Sequence, residues 1–130
     1  MKPPWETTSV SHEYEFAPDG SEIRPLLHPH GASLAHCTLP PGRVTQAVRH
    51  RTVEELWYVL GGEGQVWRKR GGVEETVDVR PGMALTIPVN THFQFRASGS
   101  EPLTLVITTV PPWPGPDEAV AVPGKWRRQT

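Results

Sequence analysis

The stretch PGRVTQAVRHRTVEELWYVLGGEG, residues 41–64, decides the fold that this sequence predicts. Residues 44–50 carry valine, glutamine, valine and histidine at alternate positions. This two-residue period is typical of a β-strand, which directs those four side chains to one face. After a short polar break, residues 54–60 are rich in aromatic and branched side chains, which indicates a second strand. The stretch therefore predicts two consecutive β-strands.

The adjacent acids Glu54 and Glu55 open the second strand, so one of the two must point toward the core side. A bare carboxylate in that position would cost several kcal/mol of desolvation. We therefore expect a partner for it, which could be a metal, a base or a hydrogen-bonding cluster. His50 is the nearest candidate.

This arrangement resembles the first signature of the cupin superfamily. That signature is a glycine, five residues, His-x-His, three or four residues, a glutamate, six residues and a glycine. On this chain the five marker positions fall on Gly42, Val48, His50, Glu55 and Gly62. Four of the five match, and Val48 stands where the first histidine belongs.

The second cupin signature is degenerate on this chain. It is a glycine, five residues, Pro-x-Gly, two residues, a histidine, three residues and an asparagine. Its positions are occupied here by Gly82, Pro88, Asn90, Phe93 and Ala97, of which the first two match. His92 lies one position before the expected histidine, and Gln94 lies one position after it. The resemblance covers roughly residues 30–110.

Short strand-like runs at spacings of roughly ten residues predict an all-β sandwich or barrel. Prolines and glycines separate the runs, and no stretch before the tail has a helical period. Besides the opening stretch, the runs are residues 12–16, 32–39, 65–69, 75–79, 83–87, 91–96 and 103–110. We interpret the proline-containing residues 23–31 as an extended loop. The resemblance to cupins implies a jelly roll, the double-stranded β-helix barrel, with little or no helix.

The 130 residues have room for one hydrophobic core, which predicts a single domain. We expect residues 1–11 to form an N-terminal arm, residues 30–110 the barrel core, and residues 111–130 a tail rich in proline and tryptophan. Trp113 and Trp126 are costly to leave in water, so the tail is expected to wrap the barrel or a second subunit.

Composition limits the classes of partner. The formal net charge of −1 gives no electrostatic reason to expect nucleic acid or an anionic membrane. The single cysteine, Cys37, excludes an intrachain disulfide and fits a reducing compartment. No apolar run has the length of a signal peptide or a membrane span. We therefore predict a cytoplasmic protein, and the resemblance implies a homodimer with a small-molecule ligand.

The resemblance also implies a divalent metal inside the barrel, with iron, zinc, manganese or nickel as the candidates. His50 and Glu55 are the ligands that carry over directly, whereas Val48 and Phe93 cannot bind a metal. His92 is the predicted third ligand, provided that the chain before it is one residue tighter than in the usual signature. Catalytic metal sites generally need three protein ligands and an open position.

The register of residues 91–96 decides which side chains fill the barrel. In one register His92 and Gln94 point inward, and in the other Phe93 and Phe95 do. The predicted substrate pocket consists of Gln46, Val48, Trp57, Phe93 and Gln94. Trp57 shares the face of Glu55, which makes it the most promising ligand contact.

The other histidines carry no assigned role. His28 and His30 lie in the proline-containing loop without a third ligand, and His36 is expected on a barrel wall.

The leading functional hypothesis is a metal-dependent small-molecule enzyme of the cupin type, acting as an oxygenase, isomerase, decarboxylase or lyase on a polar metabolite. One alternative is a metal-free isomerase or cyclase in which His50 and Glu55 are the catalytic acid and base. The other alternative is a binding module that senses a small metabolite without transforming it.

Overall fold

The computed structural model describes residues 2–129, which form two antiparallel sheets around one hydrophobic core. Met1 and Thr130, the outermost residues of the predicted arm and tail, lie outside the described residues. The strands are β1 Glu15–Phe16, β2 Glu22–Leu27, β3 Ser33–Leu39, β4 Val48–His50, β5 Glu54–Gly61, β6 Gly64–Arg70, β7 Val73–Val79, β8 Ala84–Ile87, β9 His92–Ala97, β10 Leu103–Val110 and β11 Ala119–Ala121. The six-stranded sheet has the order β1-β2-β3-β10-β5-β8, and the five-stranded sheet has the order β11-β4-β9-β6-β7. The predicted all-β jelly-roll barrel is confirmed.

Strand β5 shows most clearly how the sequence selects the fold. Its burial alternates, with Glu55, Trp57 and Val59 inside and the residues between them exposed. The strand lies between β10 and β8, so both of its edges are paired. The inner face of β5 therefore joins the core at one end and carries a carboxylate at the other.

The core consists of side chains from both sheets, including Trp57, Phe93, Phe95 and Leu105. Cys37 belongs to it with 1% of its surface exposed, and burial raises the pKa of its thiol above the ordinary range. Cys37 is therefore a small residue of the core.

The predicted loop over residues 23–31 is wrong for its first half, because β2 covers Glu22–Leu27. Pro25 is tolerated there because the β2–β3 register shifts between Pro25 and Leu27, so the missing amide falls at an irregularity. Residues 28–30 are exposed and outside any strand, as predicted.

Residues 44–50 form a regular strand only at Val48–His50. Val44 pairs with Arg96, and Val48 pairs with Phe93. Three residues lie between Val44 and Val48, whereas two lie between Phe93 and Arg96 on the partner strand. This extra residue is a bulge, and it breaks the alternation that the sequence suggested. Gln46 lies in the bulge, and its side-chain Nε2 donates to the backbone carbonyl of Val122 in the tail at 3.3 Å. The side chain of Gln46 is therefore engaged with the tail, and its predicted place in the substrate pocket stays a prediction.

The tail packs on the barrel, which was one of the two predicted alternatives. After a single 3₁₀ turn at Pro116–Glu118, β11 adds to the edge of the five-stranded sheet by pairing with β4. Arg96 stacks on the ring of Trp126 at 4.3 Å, and Gln129 bridges to Val44. In the described part of the chain, no helix is long and apolar enough to cross a membrane.

Candidate functional site

His50 and Glu55 meet at one end of the barrel, where β4 ends and β5 begins. His50 is 4% exposed and Glu55 is 7% exposed, and 3.9 Å separates His50 Nδ1 from Glu55 Oε1. The sequence predicted this proximity, and the structure confirms it. We call the group of His50, Glu55, Trp57 and Thr109 the barrel-end cluster.

The carboxyl group of Glu55 is held by two donors. Trp57 Nε1 donates to Oε1 at 3.0 Å, and Thr109 Oγ1 donates to Oε2 at 2.9 Å. Burial raises the pKa of Glu55 to about 7, although these two hydrogen bonds act to lower it. Glu55 therefore exchanges its proton near neutral pH while its position stays fixed.

The imidazole of His50 lies between two aromatic rings. Phe93 and Trp113 both approach it edge-on, with centroid distances of 5.1 and 5.3 Å. Its Nδ1 atom is buried without a hydrogen-bond partner among residues 2–129. Burial lowers the pKa of His50 to about 4, so the ring is neutral at pH 7 and the pair with Glu55 is not a salt bridge there.

Thr91 Oγ1 is another buried polar atom that has no hydrogen-bond partner among the described residues. The amide of the preceding residue, Asn90, donates to the carbonyl of His50 at 3.0 Å, which ties this turn to the end of β4. Asn90 has a φ of 64°, a left-handed conformation that asparagine adopts more readily than most residues. Unpaired buried polar atoms are rare, and His50 Nδ1 is the one among them that lies in the barrel-end cluster.

The register of β9 puts the phenylalanines inside. Phe93 contacts both His50 and Trp57, and Phe95 contacts Trp57 at 5.0 Å between ring centroids. His92 and Gln94 alternate with them and take the opposite face.

Gln94 is buried on that opposite face by the tail. Its amide nitrogen donates to the carbonyls of Thr45 and Trp126, and its Oε1 accepts from the Trp126 amide at 2.9 Å. These bonds use its hydrogen-bonding groups to attach the tail, and Gln94 faces away from the barrel-end cluster.

The three predicted metal ligands do not come together in the described part of the chain. Among residues 2–129 no group of three histidine, cysteine, aspartate or glutamate side chains could hold a metal ion. His92 pairs with Lys69 in β6 and faces away from the cluster, because one residue of register separates it from Phe93. His50 and Glu55 remain as two donors, and both oxygens of Glu55 already accept hydrogen bonds. The donor set present does not fit a catalytic metal centre.

The remaining predicted residues fall in three places. Val48 lines the interior as part of the core, and Trp57 belongs both to the core and to the barrel-end cluster. His36 lies on β3 opposite Val106, away from the inner face that Cys37 and Leu39 occupy, and His28 and His30 are exposed.

Sequence reasoning missed Thr109 and Trp113. Thr109 pairs directly with Glu55 across β10 and β5, a register that the isolated strands do not reveal. Trp113 was recognised only as a costly residue to expose. A count of the unpaired polar groups around Glu55 could have suggested that a hydroxyl was needed.

Comparison with known proteins identifies the family. A family model described as Cupin domain matches residues 35–109. An uncharacterized protein of Methanocaldococcus jannaschii is 33% identical over 107 residues, which span 78% of this chain and 82% of that protein. This chain belongs to the cupin family.

Solved structures share the cupin fold at low sequence identity. Ectoine synthase from P. lautus matches with a TM-score of 0.72 and 18% identity, covering 95% of this cupin and 94% of that chain. KdgF from a Halomonas species matches with a TM-score of 0.65 and 19% identity, covering 77% and 88%. Oxalate decarboxylase from Bacillus subtilis matches with a TM-score of 0.71 and 14% identity, covering 85% of this cupin and 30% of that chain.

Proposed function

We propose that this cupin is a small-molecule enzyme that transfers a proton at the barrel end, with Glu55 as acid or base and His50 as its partner. One observation carries the proposal. His50 Nδ1 lies 3.9 Å from Glu55 Oε1, is buried, and has no hydrogen-bond partner among the described residues. A polar ligand atom that bonds to this nitrogen would lie beside the carboxyl group.

The electrostatics of the pair suit this role. A general acid or base works best when its pKa is close to the operating pH, and the pKa of Glu55 is about 7. The neutral ring of His50 can accept or donate a hydrogen bond without adding a charge. Trp57 and Thr109 fix the carboxyl group, so the proton stays at a defined place.

The fold neighbours support an enzymatic role without defining the reaction. Ectoine synthase and oxalate decarboxylase are named for reactions, which shows that this barrel serves catalysis in other proteins. Isomerisation, cyclisation and elimination all require a proton transfer, and the fold does not choose among them. The metal-dependent reaction predicted from the resemblance would have two of the three usual protein ligands here, so no proposed step uses a metal.

The test combines ligand screening with a matched pair of variants. Small polar metabolites are screened by thermal shift, and each stabilising compound is incubated with the full chain in D₂O and followed by proton NMR. We expect one ligand at least to be converted or to exchange a carbon-bound proton. Glu55→Gln should slow that reaction by about 100-fold or more and still bind the ligand. Glu54→Gln, on the exposed face of the same strand, should react like the wild type.

Two results would overturn the proposal. A ligand that stabilises the protein and is always recovered unchanged would identify a binding module. Stoichiometric metal in protein purified without a chelating tag, lost together with activity in His50→Ala, would identify a metal enzyme.

A further inference from the structure

A short segment of the tail covers the barrel-end cluster. We call residues 111–115, Pro-Pro-Trp-Pro-Gly, the strap. The strap follows β10 directly, and its Trp113 packs edge-on against His50 with an interplanar angle of 75°. His50 is the last residue of β4, where exposure would be ordinary, yet only 4% of its surface is open. Trp113 provides one side of this enclosure, and Phe93 provides the other.

The strap is fixed firmly at both ends. On one side, Val110 pairs with Glu54 in the six-stranded sheet. On the other side, the carboxylate of Glu118 accepts hydrogen bonds from the amides of Thr52 and Val53 at 2.6 and 2.9 Å. The hydroxyl of Thr52 donates to the same carboxylate at 2.6 Å. Strand β11 continues the attachment beyond this point.

The middle of the strap is held much more weakly. Three of residues 111–114 are prolines without an amide hydrogen, and the Trp113 amide donates to the side chain of Ser33 at 3.1 Å. Within the described chain this is the one hydrogen bond that residues 111–114 make. Gly115, which ends the strap, has a φ of 140°, a conformation that favours glycine. Segments with few hydrogen bonds and partial exposure open locally at low free energy.

We infer that the strap is a gate, and that displacement of Trp113 admits a ligand with a planar apolar group, which takes the place of the indole. This inference rests on the proposed function, because it names how a substrate reaches His50 and Glu55. Displacement of Trp113 would vacate a slot of the size of an indole against the ring of His50, and a flat group that fills it would bring its polar atoms next to the His50–Glu55 pair.

Local opening is tested first on the wild-type chain without any ligand. Amide hydrogen exchange, followed by NMR, should show Trp113 exchanging at least about 100-fold faster than Val53, whose amide is held by Glu118. Equal exchange rates for the two amides would overturn the gate. Because no substrate is needed, this outcome is independent of whether the proposed enzyme reaction exists.

Whether Trp113 covers His50 is tested with diethyl pyrocarbonate, which modifies accessible neutral imidazoles. The modified residues are identified by mass spectrometry. In the wild type, the exposed His28 and His30 should react much faster than His50. Trp113→Ala should raise the reaction rate of His50 by about tenfold or more. Trp126→Ala removes a tail tryptophan that packs on Arg96 instead, and should leave His50 protected. An unchanged rate in a folded Trp113→Ala protein, with native far-UV and near-UV circular dichroism, would overturn the inference.

The ligand class is tested on the same variant. Free indole at millimolar concentration should restore the protection of His50 in Trp113→Ala, because it refills the slot. An equal concentration of an acyclic apolar alcohol should not. If indole gives no protection, the assignment of a planar ligand is wrong, whatever the outcome of the turnover screen.

Discussion

Burial acts on Glu55 and His50 in opposite directions. The pKa of Glu55 is raised from 4.5 to about 7, so the folded chain keeps a proton that the unfolded chain loses, and the free energy of unfolding falls as pH rises through this range. The pKa of His50 is lowered from 6.5 to about 4, so the unfolded chain holds the extra proton, and the free energy of unfolding rises from pH 4 to 6.5. Each pKa shift changes the free energy of unfolding by roughly 3 kcal/mol across its pH range, and the two changes have opposite signs.

We predict that Glu55→Gln uncovers the contribution of His50. The free energy of unfolding of this variant should rise by roughly 3 kcal/mol between pH 4 and 6.5 relative to the wild type, in which Glu55 opposes that rise. Urea unfolding at a series of pH values measures the effect. Glu54→Gln should follow the wild type, since Glu54 is exposed. Parallel pH profiles for Glu55→Gln and the wild type would contradict the assigned pKa shifts.

The signature glycines have a conformational reason to be glycine. Gly42, Gly62 and Gly82, which mark the two cupin signatures on this chain, have φ values of 77°, 75° and 93°. Side chains with a Cβ atom adopt this region rarely, so the marker positions record turns that the barrel requires. The resemblance could therefore predict the fold even where the metal ligands were lost.

Gly62→Ala should be the more damaging of two glycine substitutions. A Cβ atom at Gly62 would overlap the carbonyl oxygen of Pro102 as well as strain the backbone. We expect a loss of about 2 kcal/mol or more. Gly72→Ala, where nothing lies within 4 Å of the added atom, should change stability by less than about 0.5 kcal/mol. Thermal unfolding compares the two, and a similar loss in both would argue against the close approach at Gly62.

At the level of elements, the sequence predicted correctly the strands in which buried and exposed side chains alternate. The prediction was wrong where a local irregularity interrupts a strand. Strand β5 has a strict alternation, and both the strand and the shared face of Glu55 and Trp57 were predicted. The bulge between Val44 and Val48 has no signal in the side chains, because it arises from the pairing with β9. The register of β9 that points Phe93 inward is favoured because it buries the ring. In this register His92 points to the opposite face and is not part of the barrel-end cluster.

Glu118 is the anchor on which we expect the strap to depend. Glu118→Ala should lower the free energy of unfolding by about 2 kcal/mol or more, because the buried Val53 amide loses its acceptor. It should also speed the exchange of the Trp113 amide. Asp117→Ala, an exposed acid in the same turn, is the control and should have little effect on either quantity. If both variants unfold at the same denaturant concentration, Glu118 is not an anchor.

For the whole molecule, the sequence predicted the architecture and the central acid–imidazole pair but not its enclosure. The pair comes from two strands that are consecutive in the chain, within residues 41–64, so the local pattern was enough. The ring of Trp113 and the hydroxyl of Thr109 reach the same place from β10 and the tail, through contacts more than fifty residues apart in the chain. Such contacts depend on the closed barrel, which no single stretch encodes.

The homodimer implied by the cupin resemblance stays a prediction, and we expect it on the outer face of β5. Leu56, Tyr58 and Leu60 are 52%, 49% and 45% exposed, and no charged side chain of β5 interrupts this stripe. A two-fold contact would bring the same uncharged stripe of both copies together. A cavity of about 300 Å³ lies beside Leu56 and Tyr58, so this face has a recess into which side chains of a second copy can pack.

Light scattering during size-exclusion chromatography tests the dimer. The wild type should elute with twice the chain mass, and Leu56→Lys should shift it toward the monomer by burying a charge. Val73→Lys, at an apolar residue that is 74% exposed in the other sheet, should not. A wild-type monomer at every concentration would contradict the dimer, and an unchanged dimer in Leu56→Lys would contradict the interface.

The buried position of Cys37 makes the protein convenient for fluorescent labelling. Thiol reagents attack the thiolate, and burial keeps Cys37 both shielded and protonated. A cysteine introduced by Asp117→Cys would then be the only site that reacts with a maleimide dye. The indole of Trp113 quenches many dyes on contact, so the emission of such a conjugate would report opening at the barrel end in real time.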